Sequence, residues 1–292
     1  MIDKTYRPGD AGRDLQSNSR LWWNKHPMSY DWHGTNPAPE GTAEFYDEMD
    51  RRFFNASPFY RGARPFERCI PFDELKGKRV LEIGCGLGAH SQLFAEAGCR
   101  LTAIDLTERA VDLTTRRLAL RQLPGEVRQM DAEQMDFAGE EFDFVWSWGV
   151  IHHSAHTDRI IEEVARVLKP GGEFRVMVYN RHALDSYVKI LRGVLTGKPL
   201  RGMSIADILS YYTDGYIARY YTRTELADLL TQGGLEAKSV SPLGQTSELV
   251  PLPGKGWIGR LKYSLVARLP EGLTQRVLLK AGSFLFAVAV KR

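Results

Sequence analysis

Residues 80–90 read VLEIGCGLGAH. A short apolar run meets Gly84-x-Gly86-x-Gly88, and residues at helical spacing begin at once. Glycines there let the backbone turn sharply and let a ligand lie against the main chain, where a side chain would collide. The helix that follows directs its unpaired N–H groups and positive dipole end at the turn. Arg79–Ile83 (RVLEI) accordingly predicts a buried strand, and Ala89–Ala97 a helix closed by Gly98.

Working outward, the same rhythm repeats. Arg100–Ile104 predicts a second strand ending at Asp105, and Thr107 caps a helix running through Val111, Leu118 and Leu120 to Pro124 and Gly125. Further strands are predicted at Val127–Met130, Phe142–Trp146 and Glu173–Tyr179. A helix at Asp158–Leu168 places Ile160, Ile161, Val164 and Leu168 on one face, and KPGG at 169–172 ends it. Strand–helix alternation with short connections is the signature of an α/β, doubly wound, Rossmann-like sheet of mostly parallel strands.

The rhythm breaks at 181–221, where an amphipathic helix (Leu184, Tyr187, Ile190, Leu191, Val194) precedes a tyrosine cluster. That segment reads as an inserted cap. A helix at Thr222–Leu230 and a strand at Leu235–Ser241 follow, then a second, basic insertion over 242–282 and a last strand at Ser283–Val290. Residues 1–72 are polar and aromatic with scattered prolines, and read as an extension over the ligand cleft of the domain at 73–292.

Composition narrows the function classes. A net charge of +3 over 292 residues leaves no electrostatic footprint for nucleic acid, so none is expected as a partner. Cys69, Cys85 and Cys99 have neither CxxC nor metal-ligand spacing, which suits reduced thiols and no bound metal. The apolar run Phe284–Val290 is far short of the roughly 18–20 residues a membrane helix needs. The opening MIDKTYRPGDAGRD lacks the apolar core of a secretory signal, so a cytoplasmic location is expected.

The glycine loop alone leaves two ligands open, because Gly84, Gly86 and Ala89 also fit the dinucleotide pattern G-x-G-x-x-A. Three features favour the other choice. Glu82 stands where an acid would repel a pyrophosphate, Asp131 and Ala132 follow the third strand, and LKPGG (168–172) leads directly into the fifth. Together with the glycine loop, Asp105 and FDFVWSWGVIHH, these residues resemble the class I S-adenosylmethionine-dependent methyltransferases, in the small-molecule branch that includes ubiquinone/menaquinone-type enzymes. The resemblance covers residues 78–180 and extends to 222–241 and 283–290 as last strands, implying seven strands with the last antiparallel.

The resemblance implies S-adenosylmethionine as cofactor and assigns roles. Gly84, Cys85, Gly86 and Gly88 would wrap its methionine part, with Glu82 at the amino group. Asp105 would take the ribose hydroxyls, Leu106 would lie on the adenine, and Asp131 would accept from the adenine amino group beside Ala132. Ser147 and Trp148 would line the methyl side.

Methyl transfer from a sulfonium is an in-line displacement, and a hydroxyl acceptor needs a base as well. His152 and His153 follow the fourth strand at the ligand edge of the sheet and are the candidates for that base. Trp22, Trp23 and Tyr30 are read as closing over the cleft, and Tyr211 and Tyr212 as a substrate lid; plain packing is the alternative for both groups. The acceptor is expected to be a small molecule methylated on O or N. The basic, apolar-striped segment 254–282 leaves two readings open, packing on the domain or peripheral contact with an anionic membrane that carries a lipid-soluble acceptor such as a quinone, isoprenoid or glycolipid. An NAD oxidoreductase and a non-catalytic cofactor-binding module are the remaining rivals.

Overall fold

A computed structural model describes residues 15–27, 36–60, 62–250 and 256–292. Three helices precede the sheet: α1 (Leu15–Lys25), α2 (Ala43–Phe54) and α3 (Phe72–Leu75). The alternating unit then runs β1 (Arg79–Ile83), α4 (Ala89–Glu96), β2 (Arg100–Asp105), α5 (Glu108–Leu120), β3 (Glu126–Gln129), β4 (Phe142–Trp148), α6 (Thr157–Val167) and β5 (Leu168–Asn180). Beyond it lie α7 (Leu184–Leu195), α8 (Ile205–Tyr211), β6 (Tyr220–Tyr221), α9 (Arg223–Gln232), β7 (Leu235–Leu243), α10 (Gly256–Ala267), α11 (Glu271–Ala281) and β8 (Phe284–Lys291).

The strands order as β3-β2-β1-β4-β5-β8-β7, with the two-residue β6 paired to β5 outside that path. β1 to β5 are parallel, and β8 runs antiparallel to both its neighbours. The sheet thus has eight strands where the sequence implied seven; the short backbone pairing of Tyr179 with Tyr220 and of Asn180 with Tyr221 supplies the extra one. β5 also starts earlier than the glycines suggested, because Leu168 pairs with Phe142 across a register shift and carries LKPGG into the ladder.

Period-two alternation sends side chains to two layers. Val80, Phe144 and Trp146 face the layer that holds Phe94 and Leu118. Leu81, Ile83, Val145 and Val176 face the other, with Ile160, Val164 and Leu226. Strand order reverses between β1 and β4, and the crevice outside their carboxyl ends is where this architecture binds ligands.

The preceding helices are fastened over that edge. Tyr46 of α2 donates its hydroxyl to the Leu113 carbonyl at 2.6 Å, and the buried Arg117 of α5 pairs with Asp50. α7 and α8 follow β5, while α10 and α11 lie between the antiparallel β7 and β8. Among the described residues no helix is long and apolar enough to cross a membrane.

Candidate active site

A cavity of about 350 Å³ opens at the carboxyl ends of β1, β2, β4 and β5. Its floor is the glycine loop, where each glycine has a different task. Gly84 has φ +80°, and a Cβ there would stand 2.2 Å from Val150 Cγ2. Gly86 has φ +56°, lines the cavity, and its missing Cβ faces no protein atom within 4 Å. That space is open, which leaves room for a ligand against the main chain. Gly88 turns away from the cavity to head α4, and a Cβ on it would press on Thr114 and Arg117 at 3.1 Å.

Asp105 closes β2 beside this loop. It accepts from Thr107 N at 2.9 Å and Thr107 Oγ1 at 2.8 Å through Oδ1, and from Gly86 N at 3.1 Å through Oδ2. Burial nonetheless raises its carboxyl above the ordinary value, the bonds from Thr107 and Gly86 opposing it. Leu106, Asp131 and Ala132 complete this end of the wall. Asp131 Oδ1 already accepts from Gln16 Nε2 at 2.8 Å and from Glu133 N at 2.9 Å, which leaves Oδ2 to face a ligand. Cys85 lines the cavity too, but burial first, then the nearby Asp105 and Glu82 carboxyls, push its thiol well up and keep it protonated.

Besides Gly88, two more residues assigned to the cofactor stand behind the wall rather than in it. Glu82 is buried under the loop, where Ser91 Oγ donates to its Oε2 and His90 Nδ1 lies 3.8 Å from its Oε1. Burial pushes that carboxyl up to about 8, with the Ser91 bond working against the rise. Ser147 is fully buried and donates to the Ile83 carbonyl at 3.2 Å, tying β4 to β1. Its neighbour Trp148 is the one in the cavity wall, as strand alternation requires.

The two histidines also part. His152 is fully buried, does not line the cavity, and packs its ring on Tyr179 at 4.0 Å. Burial, then the neighbouring His153 and Arg219, hold it well below the ordinary histidine value, so it stays neutral. His153 lines the cavity. Its Nδ1 lies 2.6 Å from the Ile217 carbonyl; a carbonyl only accepts, so Nδ1 carries a hydrogen, and in the neutral ring the lone pair is then on Nε2.

The segment after α8 builds this geometry. Gly215 has φ +93°, and a Cβ there would stand 2.5 Å from His153 Nδ1. Arg219 donates from its backbone to the His152 carbonyl at 2.9 Å, and its guanidinium to the carbonyls of Ser154 and Ala155. α1 closes the other side: Ser19 Oγ donates to the His153 carbonyl at 2.8 Å, and Trp23 meets the His153 ring edge-on at 4.9 Å.

Of the aromatic residues expected over the cleft, Trp23 lines the cavity, and Trp22 does not but packs edge-on against it at 4.6 Å. Tyr30 lies outside the described residues. Tyr211 and Tyr212 are not a lid over the cavity. Lys198 Nζ sits 3.6 Å above the Tyr211 ring and Arg192 4.7 Å from Tyr212, so the pair fastens the α7–α8 connection.

Sequence reasoning missed much of the opposite wall. Met177 and Tyr179 of β5, Phe284 of β8, Gln245 and Asp214 all line the cavity. Tyr179 could have been found from its place at the carboxyl end of a parallel strand. Phe284 faces it only because β8 returns antiparallel to pair Phe284 with Tyr179, a long-range register no local pattern encodes.

Residues 81–176 match the family described as a methyltransferase domain. The ubiquinone biosynthesis O-methyltransferase of Coxiella burnetii (strain RSA 331 / Henzerling II) is 26% identical over 167 residues, 57% of this chain and 67% of that protein. Among solved structures, an S-adenosylmethionine-dependent methyltransferase from Mesorhizobium loti superposes with a TM-score of 0.52 at 16% identity, covering 77% of this chain and 97% of that one. The [4+2]-cyclase SpnF gives 0.57 at 16% identity over 95% of both chains, so the fold by itself serves more than one chemistry. The domain match spans the glycine loop, Asp105, Asp131 and both histidines, and a cavity wall that combines the open space at Gly86 with the Asp105 and Asp131 carboxylates suits the cofactor that the match implies. The chain carries a methyltransferase domain at residues 81–176 and is an S-adenosylmethionine-dependent methyltransferase.

Proposed function

We propose that the enzyme methylates a hydroxyl oxygen on a planar, mostly apolar small molecule, with His153 as the base. The observation that carries this reading is the bond from His153 Nδ1 to the Ile217 carbonyl, which keeps the Nε2 lone pair on a cavity-lining imidazole. An amine that reaches the site already unprotonated has its lone pair free and needs no such fixed base.

Bound S-adenosylmethionine supplies a methyl group already activated on a sulfonium. The residues around it would hold and shield it. Gly86 gives the main chain room, Asp105 and Asp131 offer carboxylate oxygens to the ribose hydroxyls and adenine amino group, and α1 covers the site from water. On the other side Trp148, Tyr179 and Phe284 line the cavity with aromatic surface suited to a flat, apolar acceptor, with Gln245 and Asp214 as polar markers. His153 Nε2 would take the hydroxyl proton as the acceptor oxygen gains the methyl group. The name of the Coxiella relative, an O-methyltransferase, supports oxygen as the acceptor atom.

The test is a panel of phenols, catechols and matched amines with methyl-labelled cofactor, read by mass spectrometry. Methylated phenols or catechols and unreacted amines are expected. Methylation of the amines alone would overturn the oxygen reading.

A further inference from the structure

We propose that α7, the connection into α8, α10 and α11 together form a docking face for an anionic lipid surface. The inference is independent of the acceptor chosen above. It starts from α7, whose amphipathic stripe is mounted outward. Ser186 and Gly193 are its buried residues, and a Cβ on Gly193 would stand 2.4 Å from Ile208 Cγ2. The helix therefore sits on the body by its small-residue side. Leu184, Tyr187, Val188, Leu191 and Leu195 recur three or four apart on one face, and all are exposed, Leu195 to 78%.

The stripe continues into its surroundings. Leu200, in the connection to α8, is 94% exposed, and Ile205 follows it. On α10, Trp257, Leu261 and Leu265 stand four apart and exposed, Trp257 to 69%. Leu273 and Val277 do the same on α11. These helices are neighbours: α7, α10 and α11 all pack on the turn at 246–249, and Lys262 of α10 is within electrostatic reach of Asp185 on α7. Soluble monomers rarely leave large apolar patches open to water, and here three exposed apolar stripes are gathered around one turn.

Charge selects the occupant. Residues 184–211 and 256–281 hold nine lysines and arginines against three acids, a surplus of six, while the chain as a whole carries +3. The remaining residues are thus net negative, and the cations are gathered where the apolar side chains are exposed. Arg192, Arg201, Arg260 and Arg268 flank the aliphatic stripes, with Tyr187 and Trp257 among them. Aliphatic residues, interfacial aromatics and a rim of cations match the headgroup boundary of an anionic bilayer. A second copy of the chain would bring the same surplus of positive charge against itself. The face borders the catalytic cavity as well, since Gln245 of its wall leads straight into the 246–249 turn.

Co-sedimentation with phosphatidylcholine vesicles, with and without phosphatidylglycerol, tests the proposal on the full chain. Binding to the anionic vesicles and little to the neutral ones is expected, weakening as salt is raised. L191Q combined with L195Q, and separately R260E combined with R268E, should each lower partitioning by about tenfold or more with unfolding temperature unchanged, since these side chains are exposed. Failure to bind anionic vesicles overturns the proposal. So does a dimer in solution that L191Q with L195Q dissociates, because the face would then belong to a second copy.

Discussion

Gln16 of α1 donates its amide to the Asp131 carboxylate at 2.8 Å, while its own carbonyl accepts from Ala155 N at 3.0 Å. A side chain from the start of the described chain therefore holds the carboxylate to which the adenine amino group would donate. Asp131→Ala is expected to weaken cofactor binding by about tenfold or more, a charge-assisted bond being worth ~1.5–3 kcal/mol. Gln16→Leu frees Asp131 and should tighten binding slightly or leave it unchanged. Calorimetry decides, and equal weakening in both variants would show Gln16 to be a direct ligand contact.

The glycine loop separates folding from binding. Gly86→Ala adds a Cβ that meets no protein atom, so stability should fall only by the ~1–2 kcal/mol of a left-handed alanine, while cofactor affinity collapses. Gly84→Ala drives its Cβ into Val150 and should cost clearly more stability than Gly86→Ala. Denaturant unfolding beside cofactor titration measures both. The assignment fails if Gly86→Ala binds like the wild type.

His153→Ala should lower kcat by ~10²–10⁴ with cofactor affinity nearly intact. Gly215→Ala would push a Cβ against His153 Nδ1 and break its bond to Ile217, so it too should lower kcat rather than cofactor affinity. His152→Phe, a packing substitution under Tyr179, should act mainly on stability. Full turnover in His153→Ala would mean that alignment alone drives the reaction.

Glu82 makes stability depend on pH with a definite sign. Its folded value of about 8 lies above the ordinary 4.5, so between those limits the folded state holds a proton that the unfolded state has released. Stability present at low pH is lost as pH rises through that window, by up to about 1.4 kcal/mol per unit. Glu248, raised to about 7 by burial, adds the same sign, and His90, lowered to about 3 by burial, acts oppositely below the histidine range. Glu82→Gln keeps an acceptor for Ser91 and should flatten the decline between about pH 5 and pH 8 in urea unfolding. An unchanged slope would place the titration elsewhere.

What the sequence made legible follows from range. VLEIGCGLGAH, the Thr107 cap, Asp105 at the end of β2 and Asp131 just beyond β3 are local signals; they place β1, α4 and α5 and bring Gly84, Gly86, Asp105 and Asp131 to the cavity, while Glu82 and Gly88 stay behind its wall. Periodicity also found α7, but it could not say which way the stripe faces; Gly193 against Ile208 decides that, and it turns the apolar side outward. The tyrosine pair Tyr211 and Tyr212 misled because aromatic density does not distinguish a lid from a brace held by Lys198 and Arg192. His152 and His153 are adjacent in sequence yet differ in access, since the short helical turn at Ile151–His153 sends one ring behind Tyr179 and the other into the cavity.

β8 lies between β5 and β7, both of which precede it in the chain. During synthesis from the amino end, β5 must wait with an open edge until residues 284–291 emerge. Such an edge invites pairing with another chain, so the interval between β5 and β8 is a window for misassembly. The same arrival brings Phe284 against Tyr179 and completes the acceptor wall. A nascent chain can therefore form its glycine loop well before it can enclose an acceptor, and maturation of the two halves of the cavity is separated in time by the length of α7 to α11.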